Sequence, residues 1–245
     1  MASPSLSRLE SLLAARKLDG TIARPEAARM AIPSAATGIA SLDEALAGGW
    51  RRGELSELLG GPSAGRAGVV TATMAAATAR GELVAVVDAF DRLDPATVAS
   101  GGVDLSHVLW VRGPALTLPS RPGLVSSAVL NAVRAFDLIL RAGGFGVVVL
   151  DVAGAPARAF HDLAPATWLR LAHAIAGQAS AGVLVGDVPM GRSARGVTVR
   201  LSSTRRWTGT SPQSRRLDGL DVHAHLEQAQ RSVKTAPGWT LRAAV

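Results

Sequence analysis

The chain has 245 residues, of which 48% are hydrophobic and 18% are charged. This length suits one large α/β domain with an appendage, or two small domains. The chain contains no cysteine, which excludes disulfides, thiolate metal sites and cysteine nucleophiles. No uninterrupted apolar run reaches the roughly 18 residues of a membrane span, and the first ten residues lack the pattern of a secretory signal. We therefore predict a cytoplasmic protein with no membrane partner.

The charge of the chain is concentrated near its end. Residues 191–245 hold ten basic and three acidic side chains, and this excess equals the net charge of the whole chain, +7. A local excess of arginine predicts an anionic partner, with nucleic acid favoured over membrane. Arginine also replaces lysine at all but two positions of the chain, Lys17 and Lys234. A compositional bias is therefore an equally good explanation of the excess.

Residues 1–35 are predicted to form an N-terminal helical arm and a linker. Leucines recur at helical spacing over residues 5–18, and Ser7 with Glu10 fits a capping box. The following residues, 19–34, are polar and contain proline. This arm could dock on its own domain or on another subunit, so the sequence allows a homo-oligomer formed through the arm.

Residues 36–190 are predicted to form the core, in which strands and helices alternate. The predicted strands cover residues 54–59, 83–89, 108–111, 146–152 and 182–186, and the predicted helices cover 66–80, 124–141 and 168–178. The continuous apolar runs at 83–89 and 146–152 are typical of parallel strands buried on both faces. The pattern predicts an α/β fold with a doubly wound, mainly parallel sheet and ligand sites at the carboxyl ends of its strands.

Residues 191–245 are predicted to complete this sheet. Apolar and polar residues alternate over 197–201, 220–226 and 239–241, which predicts antiparallel C-terminal strands. The segment 202–219 is rich in glycine, serine and arginine, and we predict that it is a mobile loop.

One motif in the core has the spacing of a phosphate-binding loop. The run from Gly60 to Ala67, GGPSAGRA, lies between a predicted strand and a predicted helix. In a working P-loop, glycines let backbone N–H groups surround phosphate, and the last two residues are Lys and Ser or Thr. The lysine reaches the β- and γ-phosphates and the hydroxyl binds Mg²⁺. Glycines five residues apart are a weak signal alone, because a plain tight turn has the same pattern.

Several blocks around this motif resemble the RecA/RadA recombinase core in order and spacing. Residues 37–60 are similar to the entry to that core, 87–95 to the end of its second strand, 147–151 to its Walker B strand, and 197–201 to a later strand. The resemblance covers residues 37–201 and implies a RecA-like fold. It also identifies which positions would carry ATP hydrolysis.

At those positions the chain departs from the family. The P-loop lysine and hydroxyl fall on Arg66 and Ala67, the glutamate that orients water falls on Phe90, and no glutamine stands near 186–188 to sense the γ-phosphate. Only Asp151, the Walker B carboxylate, remains, and a lone carboxylate is a poor Mg²⁺ site. We therefore predict that the protein is not an enzyme and uses no cofactor or metal. The predicted degenerate, non-functional nucleotide site consists of Gly60, Gly65, Arg66, Ala67 and Asp151.

The basic C-terminal region is the alternative working surface. The stretch 187–194 is too short to form the long DNA-binding loop that the resemblance would place there. Arginines beside an aromatic side chain suit single-stranded nucleic acid, and the same arginines could equally meet an acidic protein surface. The predicted DNA- or partner-binding residues are Arg192, Arg195, Arg200, Arg205, Arg206, Trp207, Arg215 and Arg216.

A RecA-type core with a decayed nucleotide site and a basic C-terminal region resembles the ImuA family, the RecA/SulA-related accessory factors of bacterial mutasomes. This resemblance implies a non-catalytic role in the DNA-damage (SOS) response and in translesion synthesis. The implied partners are an ImuB-like relative of Y-family polymerases and an error-prone C-family DNA polymerase, with RecA and DNA as further candidates. Two alternatives stay open: a weakly active ATP-binding recombinase, and a SulA-like inhibitor of cell division.

Overall fold

The computed structural model describes residues 33–164, 166–190, 196–228 and 231–242. From Ser34 onward the chain forms one compact unit. The predicted N-terminal helix at 5–18 and the arginines at 192 and 195 lie outside the described residues.

The elements of the described chain follow the predicted alternation. The strands are β1 (Ser34–Ala35), β2 (Trp50–Arg51), β3 (Leu55–Leu59), β4 (Val84–Asp88), β5 (Val108–Arg112), β6 (Val147–Asp151), β7 (Ala181–Gly186), β8 (Val197–Thr208), β9 (Arg216–Gln228) and β10 (Arg231–Arg242). The α-helices are α1 (Ala40–Ala45), α2 (Arg66–Ala79), α3 (Pro95–Ser100), α4 (Pro122–Ala142) and α5 (Ala166–Ile175), with short 3-10 helices at Leu105–His107 and Ala157–Phe160.

An eight-stranded sheet of order β10-β9-β8-β3-β7-β6-β4-β5 organises the fold. The strands from β8 through β3 to β5 pair in parallel, and β9 and β10 are added antiparallel to the outside of β8. This arrangement confirms the predicted α/β fold with a mainly parallel sheet and antiparallel C-terminal strands. It brings the carboxyl ends of β3, β4, β6 and β7 to one edge.

Strands β4 and β6 are apolar up to their final aspartates because helices cover both faces of the sheet. Val84 and Val86 of β4 pack in one core with α1, α2 and α3, whereas Ala85 and Val87 pack in a second core with α4 and α5. Alternate residues of a strand point to opposite faces, so burial on both faces requires an uninterrupted apolar run.

Helix α4 is the one described helix with the length and composition of a membrane span. It has 21 residues, and its most apolar window of 18 residues has a mean hydropathy of 1.5. We did not predict this from the sequence, because the helix contains no continuous apolar run. Its apolar stripe packs on the sheet, where eight of its side chains, including Phe136 and Leu140, are buried. The burial of this stripe explains the apolar composition of α4, which is that of a core helix.

The prediction of a mobile loop at 202–219 is wrong. Strand β8 continues to Thr208 and β9 begins at Arg216, so the two strands form one long antiparallel pair joined through residues 209–215. Backbone hydrogen bonds between the strands outweigh the low strand propensity of serine and arginine, because cross-strand pairing depends on context more than on composition.

Candidate functional site

The candidate site lies at the carboxyl edge of the parallel strands, where doubly wound proteins place their ligands. The loop of Gly60–Gly65 follows β3, and an aspartate ends or follows each of three neighbouring strands. These are Asp88 at the end of β4, Asp151 at the end of β6 and Asp187 after β7. The tertiary structure therefore brings together the predicted residues Gly60, Gly65, Arg66, Ala67 and Asp151.

The loop after β3 turns into α2 at a glycine with positive φ. Gly65 is the N-cap of α2 with φ of 97°, in the left-handed region that glycine adopts without strain. Gly61, Pro62 and Ser63 are exposed at the tip of the loop. The Ser203 hydroxyl of β8 donates a hydrogen bond of 2.7 Å to the Ser63 carbonyl. The C-terminal strands thus contact the loop directly.

Gly65 of the motif and Gly68, which follows the motif in α2, lie close to the C-terminal strands. A Cβ on Gly65 would lie 2.9 Å from Val222 Cγ2 in β9, and a Cβ on Gly68 would lie 2.6 Å from Leu241 Cδ1 in β10. These distances are shorter than van der Waals contact. Gly65 and Gly68 therefore leave room for the C-terminal strands, which gives them a structural role independent of any phosphate.

The arginine in the lysine position of the motif is already paired with an anion. Arg66 Nη1 forms an ion pair and hydrogen bond with Asp187 Oδ1, and the Gly154 N–H donates to the same oxygen at 3.1 Å. The side chains of Arg66 and Asp187 are only 12% and 28% exposed. A carboxylate of the chain itself therefore satisfies the cation that a P-loop would direct at phosphate.

The Walker B position holds a carboxyl group that is unfavourably placed for ionisation. Asp151 Oδ1 accepts the N–H of Ala153 at 2.9 Å. Desolvation raises the pKa of Asp151 above its ordinary value of 3.8, and the nearby Asp88 carboxylate raises it further. The hydrogen bond from Ala153 and the positive charges of Arg66 and Arg92 oppose this rise without cancelling it.

We expect the substitution Asp151→Asn to stabilise the protein at neutral pH. Because the pKa of Asp151 is higher in the folded than in the unfolded state, its ionised form lowers stability at pH 7, and this loss disappears as the pH falls. Asparagine keeps the Oδ1 acceptor and cannot ionise. Denaturant unfolding at several pH values should show an advantage at pH 7 that closes below the ordinary pKa of 3.8. A variant less stable than wild type at pH 7 would show that the carboxylate is needed in its charged form.

The glutamate position of the family is occupied by a buried side chain. Phe90 is 2% exposed and packs in the core beneath α4. The buried Asp88 shapes its loop by accepting the N–H groups of Phe90 at 3.3 Å, and of Arg92 and Leu93 at 2.7 Å each. Arg92 in turn lies 5.2 Å from the Phe90 ring centre and donates to the Ala153 carbonyl at 3.0 Å. The position thus serves packing, with no carboxylate directed at a water molecule.

These residues do not fit the Mg²⁺–ATP that a working P-loop binds. Ala67 offers no hydroxyl to a metal, Arg66 is engaged by Asp187, and Phe90 is in the core. Within the part of the chain that the structure describes, no three His, Asp or Glu side chains cluster as metal ligands. The donor set for a nucleotide-bound magnesium ion is therefore incomplete.

Two carboxylates that organise this edge of the sheet were not predicted as site residues. Asp187 is 121 positions from Arg66 in the sequence. Buried Glu57 of β3 accepts the Met190 N–H at 2.7 Å and the Thr198 hydroxyl at 3.0 Å, and so holds the chain on both sides of residues 191–195. Asp187 could have been predicted from the sequence, because it directly follows an apolar strand. Asp88 and Asp151 likewise stand at the ends of apolar strands.

The predicted basic residues divide into paired and unpaired groups. Arg200 pairs with Glu227 at 3.2 Å, and Arg206 approaches Asp218 at 3.6 Å and Asp221 at 3.5 Å. The guanidinium of Arg215 lies over the Trp207 ring, 5.2 Å from its centre. Among the described residues, no carboxylate pairs with the remaining group, which consists of Arg205, Arg215 and Arg216.

Comparison with known proteins identifies the family of this core. A profile of the RecA N-terminal domain matches residues 14–157, which is more than half of the chain. The chain belongs to the RecA N-terminal domain family. The predicted resemblance to RecA is thereby confirmed at the level of the family.

Individual RecA proteins match shorter stretches. The RecA protein of Parasynechococcus marenigrum (strain WH8102) is 33% identical over 126 residues, which cover 51% of this chain and 30% of that RecA. RecA of Synechococcus sp. (strain CC9605) is 38% identical over 84 residues, or 34% of this chain and 22% of the relative. RecA of Prochlorococcus marinus (strain MIT 9211) is also 38% identical over 84 residues, which cover 34% of this chain and 23% of the relative. The match thus spans less than a third of each relative's length.

Proposed function

We propose that this protein is a non-catalytic, RecA-like accessory protein of the DNA-damage (SOS) response that supports translesion synthesis, as ImuA-type proteins do. In this role it acts in the cytoplasm and binds an ImuB-like relative of Y-family polymerases and an error-prone C-family polymerase. RecA, which shares the core fold, is a further partner.

The observation that carries this proposal is the ion pair between Arg66, at the end of the P-loop-like motif, and Asp187, after β7. A polyphosphate would have to displace Asp187 from Arg66 and leave the carboxylate unpaired beside it. Removing one partner of a buried ion pair is costly because the remaining charge keeps little compensation. Together with Ala67 and the buried Phe90, this contact favours a RecA-like core that retains the fold but does not bind nucleotide.

Calorimetric titration with Mg²⁺–ATP tests the absence of nucleotide chemistry. We expect no heat of binding at millimolar ATP and no phosphate release above a blank. The alternative, a weakly active recombinase, requires saturable binding with turnover that is abolished by Arg66→Met. Such a result would overturn the non-catalytic part of the proposal.

Affinity purification from cells treated with a DNA-damaging agent tests the accessory role. We expect a Y-family polymerase relative and a C-family polymerase to copurify with the tagged protein, identified by mass spectrometry. Copurification of a tubulin-like division protein in their place would support the SulA-like alternative and contradict the proposal.

A further inference from the structure

The long β8–β9 pair extends beyond the rest of the sheet. Strand β8 pairs with β3 only over Thr198–Arg200, but it pairs with β9 as far as Thr208 opposite Arg216. We call residues 205–217 the distal ribbon. Except for Ser211 they are all exposed, so this ribbon projects past the carboxyl end of β3 into solvent.

One face of the distal ribbon combines an indole with basic side chains. Alternate residues of a strand share a face, so Arg205 and Trp207 follow Ser203, whose hydroxyl contacts the P-loop tip. Trp207 lies directly opposite Leu217. Their side chains are 48% and 44% exposed, which is high for residues of this size.

The charges near the tip of the ribbon are of one sign. Residues 202–217 contain four arginines and no acidic residue. Arg206 is balanced at the base of the ribbon by Asp218 and Asp221. Arg205, Arg215 and Arg216 pair with no carboxylate of the described chain, and Arg215 lies over the indole of Trp207. Of these three guanidinium groups, only that of Arg215 lies over the ring. Arg205 shares the Trp207 face of β8, whereas Arg216 is opposite Thr208 and lies on the other face.

We propose that the distal ribbon is a binding surface for single-stranded DNA. The three unpaired arginines would neutralise phosphates of a strand that passes along the ribbon, and the Trp207 indole would stack on a base, a combination typical of single-strand binding sites. In a duplex the base faces are stacked on one another and are not accessible to the indole. The accessory role proposed above does not depend on this surface, so each proposal can fail without the other.

The size of the apolar patch favours nucleic acid over an acidic protein. A specific protein interface buries roughly 800 Å² on each partner around a desolvated apolar centre. Here the exposed apolar surface of the ribbon is limited to Trp207 and Leu217, and charged side chains surround it. Stacking requires only one ring for each base bound.

Fluorescence anisotropy with a labelled thymidine oligonucleotide of about 20 nucleotides, longer than common single-strand site sizes, tests the proposal. We expect wild type to bind at low salt and more weakly as salt rises. Replacing Arg205, Arg215 and Arg216 together by glutamine should reduce the slope of log K against log salt by about 2. Trp207→Ala should weaken binding by about tenfold. Trp207→Phe keeps an aromatic ring and should bind with nearly the affinity of wild type. Thermal unfolding of each variant confirms that it is folded.

Arg141→Gln is the matched control. Arg141 is also an exposed arginine, although it pairs with Asp137 at 3.0 Å, and it lies outside the ribbon at the carboxyl end of α4. Its replacement should leave the affinity and the salt slope unchanged. The proposal is overturned if wild type does not bind the oligonucleotide at low salt, or if the triple variant or Trp207→Ala binds as wild type does. It is likewise overturned if duplex DNA of the same length, or polyglutamate as a competitor, binds equally well.

Discussion

The substitution Asp187→Asn should make the stability of the protein depend on phosphate. Arg66 and Asp187 are largely buried and form an ion pair, so neutralising the aspartate leaves a guanidinium with a weakened partner. We expect the free energy of unfolding to fall by about 2 kcal/mol. A bound anion should restore it, because the loop geometry around Gly65 and the N-terminus of α2 favours phosphate. Tripolyphosphate at about a hundred times its Kd should add about 2 to 3 kcal/mol.

Denaturant unfolding with and without tripolyphosphate measures both effects. Wild type should show no dependence on tripolyphosphate beyond that of salt at equal ionic strength. The double variant Arg66→Met with Asp187→Asn is the control, since it lacks the cation and should recover stability while losing the anion response. An Asp187→Asn protein that is as stable as wild type and indifferent to tripolyphosphate would show that Asp187 does not close an anion site.

Phe90→Glu should be among the most destabilising single changes in the core, although it restores the residue that the family uses to orient water. Phe90 is 2% exposed, so the new carboxylate would replace a ring that packs beneath α4. We expect a loss of about 4 kcal/mol at neutral pH, from the lost apolar packing and the burial of a charge. The loss should shrink at low pH, because a buried glutamate has a raised pKa and becomes neutral as the pH falls.

Phe90→Leu provides the comparison, because it keeps an apolar side chain and should cost about 1 kcal/mol. Neither variant should hydrolyse ATP, because Ala67 still lacks a hydroxyl and Arg66 is still paired with Asp187. Full stability of Phe90→Glu at pH 7 would mean that this side chain can turn toward the nucleotide site. That result would contradict the assignment of position 90 to the core.

The central part of the fold could be predicted from the sequence because its signals are local. Strands β4 and β6 are runs of apolar residues ending in Asp88 and Asp151, and burial on both faces of a parallel sheet produces that pattern. The glycines at 60 and 65, between a strand and a helix, likewise indicate a phosphate-binding turn. The absence of a metal-binding hydroxyl at position 67 could be read from residue identity alone, since that position is alanine.

The C-terminal region could not be predicted as well, because its order comes from pairing. The composition of residues 202–219 is typical of a loop, yet β8 and β9 extend into it because each strand satisfies the backbone of the other. Val222 lies close to Gly65 because β9 pairs with β8, and Leu241 lies close to Gly68 because β10 pairs with β9.

By itself, the sequence determined that this protein has a RecA-like α/β core whose P-loop has lost its lysine and hydroxyl. Residue identities and short-range periodicity carry that information. Only the tertiary structure showed that Asp187 pairs with Arg66, the residue in the lysine position. Asp187 reaches Arg66 across 121 residues because β7 and β3 are neighbours in the sheet, and neighbouring parallel strands end at the same edge. Ion pairs of this kind depend on strand order, which no local pattern encodes.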